Sequence, residues 1–197
     1  VLALVPALVE VSSEKVDGMI AQHVANTLWS LSVLQPEQDE AVQVFIHALQ
    51  SAMVSKLGKS KLTDITQSTL ALAALDATDD TLLEATAQHV AALLPSMDER
   101  SFRMVVPAMI FAFAKLGVGY QREELVAAVA GRFPSLRRKL NDWILCALVW
   151  SCRQRGGEQE HAPLLASLEQ EVRRRGIPAA KVDHARLGSH MWDSWEG

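Results

Sequence analysis

Cysteine is scarce in this chain of 197 residues, long apolar runs are missing, and no motif of a familiar active-site chemistry is spelled out. The two cysteines, Cys146 and Cys152, lie six apart in one stretch of helical pattern. Six residues turn a helix through about 600°, nearly two turns, so a disulfide within that helix is excluded. Two free buried thiols suit a reducing compartment. No apolar run reaches the roughly 18 to 20 residues that a membrane span needs, and no span is expected. The opening VLALVPALVEV contains Pro6, lacks the basic start and cleavage site of a signal peptide, and reads as a core helix. The first residue is Val rather than Met, as in a processed, trimmed or fragmentary chain. A glycine-rich phosphate loop, a paired CxxC and HExxH are all missing. Glu158-x-x-His161 has the shape of a carboxylate–histidine metal pair, but it stands alone at a helix start. His23, His47 and His89 fall on different helices, without the partner pattern of nucleophilic catalysis. The expectation is a protein that is not an enzyme, with no cofactor, no metal and no small-molecule substrate.

What is present is a repeat. Val24 to Leu34, Ile65 to Leu75, Val106 to Leu116 and Leu145 to Arg155 are altered copies of one helical stretch. Their bulky residues Trp29, Leu70, Phe111 and Trp150 step by 41, 41 and 39 residues. A period near 40 in an almost strand-free sequence is the signature of a helical solenoid. The expected fold is all-α, a right-handed α-solenoid of about four helix-turn-helix repeats with partial terminal repeats. A single helical-repeat domain covers residues 1–197: a partial repeat at 1–11, repeats at 12–57, 58–97, 98–135 and 136–176, and a degenerate or capping repeat at 177–197. Within it, Ser12 or Ser13 is expected to cap a helix running to Leu34, and Asp39 to begin a second with Val42, Phe45, Ile46, Leu49 and Met53 inward. Pro107 predicts a kink or a late helix start, and Pro134 a helix end. Trp192 follows Trp150 by 42 residues and marks a possible fifth unit.

Three columns of the aligned copies carry packing. Val24, Ile65, Val106 and Leu145 are aliphatic, the Trp29 column is bulky, and Ser30, Ala71, Ala112 and Ser151 are small, which lets a neighbouring helix approach closely. The column Gln35, Asp76, Gly117 and Gly156 falls where each first helix must stop. Trp29 and Trp150 read as core residues, with base stacking the alternative. Eleven residues before the bulky position stand Gly18, Lys59, Arg100 and Lys139, with Lys181 equivalent in the fifth unit. Cations at helix starts oppose the macrodipole, so helix stability does not select them. They are either an ordinary solvated surface or a track for a phosphate backbone. The clusters Arg137-Arg138-Lys139 and Arg173-Arg174-Arg175, extended by Arg132, Arg153 and Arg155, point to the same use, with Glu169 and Glu171 partly offsetting the second. Residues 1–100 carry a balance of −8 and residues 101–197 one of +4, so an anionic partner belongs on the C-terminal half.

The stretch Asn26-Thr27-Leu28-Trp29-Ser30-Leu31-Ser32-Val33-Leu34 resembles the core of octotricopeptide repeats, which is similar to the repeats of RAP-associated, FAST-kinase-like organellar proteins. Ala112-Phe113-Ala114-Lys115-Leu116-Gly117 matches the latter half of that core. The resemblance implies helix-pair repeats and single-stranded or ribosomal RNA bound by first helices. It also implies an organellar location, mitochondrial or alternatively chloroplast. The expected role is a structural subunit of a ribonucleoprotein such as a mitochondrial ribosome, with RNA and protein subunits as partners. A HEAT-like protein scaffold in a large organellar complex is the alternative.

Overall fold

A computed structural model describes residues 9–10, 12–37, 39–117, 122–154 and 161–184. These residues are helical, and no strand occurs among them. The α-helices are α1 (Ala21–Leu34), α2 (Glu40–Lys56), α3 (Leu62–Leu75), α4 (Asp80–Leu93), α5 (Glu99–Leu116), α6 (Arg122–Leu136), α7 (Asp142–Arg153), α8 (Ala162–Arg174) and α9 (Ala179–His184). Among the described residues, no helix is long and apolar enough to cross a membrane, and no group of three or more His, Cys, Asp or Glu could hold a metal ion.

The chain forms two compact units, Val1–Leu93 and Leu94–Gly197. In the N-terminal unit α1 packs on α3 and α2 on α4, so each helix meets its counterpart in the next pair as well as its own partner. In the C-terminal unit α5 packs on α6 and α7, and α7 packs on α8 and α9. The aliphatic column lies in the core of both units: Val24, Ile65, Val106 and Leu145 are all fully buried. Phe111 and Trp150 occupy one repeat position on neighbouring helices, and their ring centroids lie 5.4 Å apart. Trp143 adds an edge-on contact to Phe111 at 5.6 Å. Aromatic pairs at such separations contribute about 0.5–1.5 kcal/mol beyond the apolar area they bury. Trp29 and Trp150 are only half-buried, whereas Leu70 and Phe111 are buried.

Local chemistry sets the helix ends. Asp39, Asp98 and Asn141 accept the amide hydrogens of Val42, Ser101 and Ile144 at 2.9, 3.0 and 2.8 Å, which caps α2, α5 and α7. At the other end Gln35, Asp76 and Gly117 adopt left-handed backbone with φ of 45°, 54° and 71°. This conformation stops α1, α3 and α5, and Gly117 takes it without the Cβ clash that the other two bear.

Several expectations about boundaries are corrected. The helix foreseen from Ser12 or Ser13 begins at Ala21, after a 3-10 turn at Val16–Gly18, and this leaves Ile20 exposed outside it. A glycine at 18 makes the continuous helix less favourable by roughly 1 kcal/mol. α5 starts at Glu99 rather than late, and runs through the buried Pro107. α6 continues past Pro134 to Leu136. α7 ends at Arg153 with extended backbone at Gln154. Most of the partial repeat at 1–11, together with Arg155, Gly156 and Trp192, lies outside the described residues.

Candidate nucleic-acid interface

Arginine occurs only from Arg100 onward; the N-terminal unit carries eleven acidic side chains against four lysines, and the C-terminal unit twelve acidic against fifteen basic. The difference matters because a guanidinium presents several donors in a rigid fork and can hold two or three acceptors at once. Arg175, just past α8, does this. Its Nη1 donates to the carbonyl of Leu140 at 2.8 Å and to Asp142 Oδ1 at 3.0 Å. Its Nη2 donates to the carbonyl of Arg137, and its Nε to Glu171 Oε1 at 2.8 Å. Arg103 from α5 adds a bond to the carbonyl of Lys139 at 3.1 Å. The carbonyls in the turn before α7 are therefore satisfied by side chains that come from two other helices.

Glu171 is the anionic centre of this arrangement and only 4% exposed. Arg174 grips it through Nε at 2.8 Å and Nη2 at 2.6 Å. Hydrogen bonds from Arg174 first, and from Arg175, outweigh the burial that opposes ionisation and hold the carboxyl at about 2.

The same clamp recurs one repeat earlier. Arg132 in α6 donates to the carbonyls of Met97 and Leu94, both at 3.1 Å, and its guanidinium lies 4.3 Å over the ring of Phe102. The sequence separations are 35 and 38 residues for Arg132, and again 35 and 38 for Arg175. Both arginines stand 34 residues after an N-cap, Asp98 or Asn141. Clamp and caps thus recur every 43 residues, not every 39 as Phe111 and Trp150 do. The two rulers disagree because α5 has 18 residues against 12 in α7, and the extra turn precedes Phe111.

That turn also displaces the cation column. Gly18, Lys59 and Lys139 each stand two residues before an N-cap, whereas Arg100 stands two residues after Asp98, inside α5. Lys59, in the N-terminal unit, is exposed with no side-chain partner among the described residues. In the C-terminal unit the same holds for Arg100, Arg137 and Arg138. Lys139 pairs with Glu99 at 2.6 Å, Arg153 with Glu169 at 2.6 Å, and Lys181 with Asp142 at 3.5 Å. Arg173 stays 71% exposed with only a loose pair to Glu169 at 3.8 Å, and Arg174 stays 61% exposed on the side turned from Glu171. Arg175 is the most enclosed of the set at 15%. Arg153 lies at the far end of α7, some 16 Å of helix from Asp142 at 1.5 Å per residue.

The structure therefore brings the clusters 137–139 and 173–175 to one end of the C-terminal unit, with Lys181 beside them, while Arg153, from the far end of α7, shares the Glu169 carboxylate with Arg173. The amides at the starts of α5 and α7 already serve Asp98 and Asn141, so the exposed guanidiniums rather than helix N-termini are what an anion would meet. The Asp98 carboxyl itself is held below the usual range, chiefly by the Ser101 hydroxyl. Sequence reasoning grouped Arg132 with the surface cations and treated Glu171 as a local offset; the repeated spacing of 34 from an Asp or Asn cap to an arginine was the signal of their joint role. No protein-family model matches this chain, and no curated protein or solved structure matches it either.

Proposed function

We propose that this protein is a non-catalytic, RNA-associated helical-repeat protein, built as a right-handed α-solenoid, that serves as a structural subunit of an organellar ribonucleoprotein. The observation that carries the reading is the meeting of two basic clusters, 36 residues apart in sequence, with Arg137, Arg138, Arg173 and Arg174 presenting exposed guanidiniums. The guanidiniums of Arg173 and Arg174, each already held by one carboxylate, lose less freedom on meeting phosphate, and all four match its geometry. The acids nearby make this a patch for a backbone held at a few points, rather than a deep polyanion channel. A mitochondrial location, with chloroplast as the alternative, rests on the octotricopeptide resemblance.

The test is binding of a fluorescent single-stranded RNA to the full chain across a salt series. Affinity should fall steeply with salt, and replacing Arg137, Arg138 and Arg173 by Gln should lower the slope of log K against log salt by about 2, at roughly 0.7 per lost phosphate contact. Affinity indifferent to salt, or to these three changes, would sink the reading. The acidic N-terminal unit favours a second role, as a protein scaffold of HEAT-like kind; purification of the native assembly with and without ribonuclease separates the two.

A further inference from the structure

The N-terminal unit holds a recess of about 240 Å³ between α2 and the C-terminal end of α3, lined by Gln43, Ile46, His47, Gln50, Asp76 and Thr78. Gln50 is 97% buried, by its 3% exposure, yet its Nε2 finds no hydrogen-bond partner among the described residues. Native interiors leave few such donors unmatched. The recess is many times the ~10–15 Å³ that one water molecule needs, so a single bridging water does not fill it. Its wall is negative. α3 ends here at Leu75, bringing the negative end of its dipole, and Asp76 has no ion pair among the described residues. His47, on the α2 side of the recess, has Asp79 3.5 Å away, outside the lining.

From these facts we infer that the recess receives a lysine or arginine of a partner protein, together with that residue's own peptide carbonyl. The carbonyl accepts from Gln50 Nε2 in the depth, and the cationic head meets Asp76 and the end of α3 at the rim. Other ligands fit worse. An anion would face Asp76 and a helix C-terminus, and an apolar group would leave Gln50 as it is. The surrounding unit has a balance of −7 and no arginine of its own, so a basic partner segment is complementary to it beyond the recess. This inference concerns the N-terminal unit and stands apart from the RNA reading, so either can fail alone.

The full chain is titrated with N-acetyl-arginine methylamide, the glutamine analogue serving as the neutral control, and followed by NMR of side-chain amides. The arginine probe should shift the Gln50 amide pair saturably and at least tenfold more tightly than the control. Gln50→Leu and Asp76→Asn should each weaken it tenfold or more. Asn tolerates the left-handed backbone at 76, so that variant keeps the fold even if Gln50→Leu repacks. Equal response to both probes, or unchanged binding in both variants, overturns the proposal.

Discussion

In the N-terminal unit two successive first helices meet through amides: Gln67 Nε2 donates to Asn26 Oδ1 at 3.3 Å, across 41 residues of sequence. Gln35 adds a longer bond to the carbonyl of Ala74 at 3.5 Å. In the C-terminal unit the positions of Asn26 and Gln67 are taken by Ala108 and Ala147, both buried, and the polar contact is gone. There the neighbours meet through Phe111 and Trp150, and the turns before α5 and α7 are held by Arg132 and Arg175. The positions 38 residues beyond Val16 and Leu57 are Val54 and Pro95, which cannot clamp anything. The same helix-pair plan is thus closed in two ways. One unit uses apolar packing with a thin polar seam, and the other uses aromatics with arginine forks. The second way is what gathers guanidiniums at one end, so the device that closes the repeat also creates the candidate anion site.

Changes at four positions probe this contrast, and the largest effect belongs to the aromatic pair. Phe111→Ala removes a fully buried ring and its contacts to Trp143 and Trp150, and should cost about 3–5 kcal/mol in chemical denaturation. A loss below about 1 kcal/mol would show that the C-terminal unit does not depend on the ring stack. Next comes Arg175→Met, which keeps the apolar stem but frees the carbonyls of Arg137 and Leu140 and half of the grip on Glu171. A loss of roughly 2–3 kcal/mol is expected, and Arg175→Lys should restore only part because a single ammonium cannot span the same acceptors.

Glu171 gives that clamp a pH signature with a defined sign. Its folded value of about 2 lies below the ~4.3 of an unfolded glutamate, so its contribution is complete above that value and is lost as pH falls towards 2. Glu171→Gln should flatten stability across this window, and an unchanged acid limb would break the link between the carboxylate and the fold. The smallest effect is expected in the polar seam. Asn26→Ala removes one exposed hydrogen bond, and the melting point should move by no more than ~1 kcal/mol implies.

Much of the architecture was legible because it is written in local periodicity. The inward set Val42, Phe45, Ile46, Leu49 and Met53 is buried as its spacing required, and the stops at Gln35, Asp76 and Gly117 fall where the copies align. The misplaced cation column had one origin. Counting from the bulky residue assumes that every first helix has the same length, and α5 is longer by a turn because Asp98 and Ser101 make a good cap well before Pro107. The column of Lys59, Arg100 and Lys139 therefore mixes two structural positions.

The burial of the two thiols was readable from the sequence as well. Cys146 and Cys152 sit in the core without a disulfide, and burial pushes the Cys146 thiol up, away from the thiolate. What the sequence determined by itself is the helix inventory, the repeat, the apolar faces and the uneven charge, since each depends on neighbours within a few turns. What only the tertiary structure decided is the use of that charge. Whether an arginine caps a carbonyl 38 residues away or stays free for a ligand depends on where helix ends meet, and that is set by helix length and packing. Arg175 and Arg138 are the same residue type in similar runs of basic sequence; one is locked into the fold and the other is left to solvent.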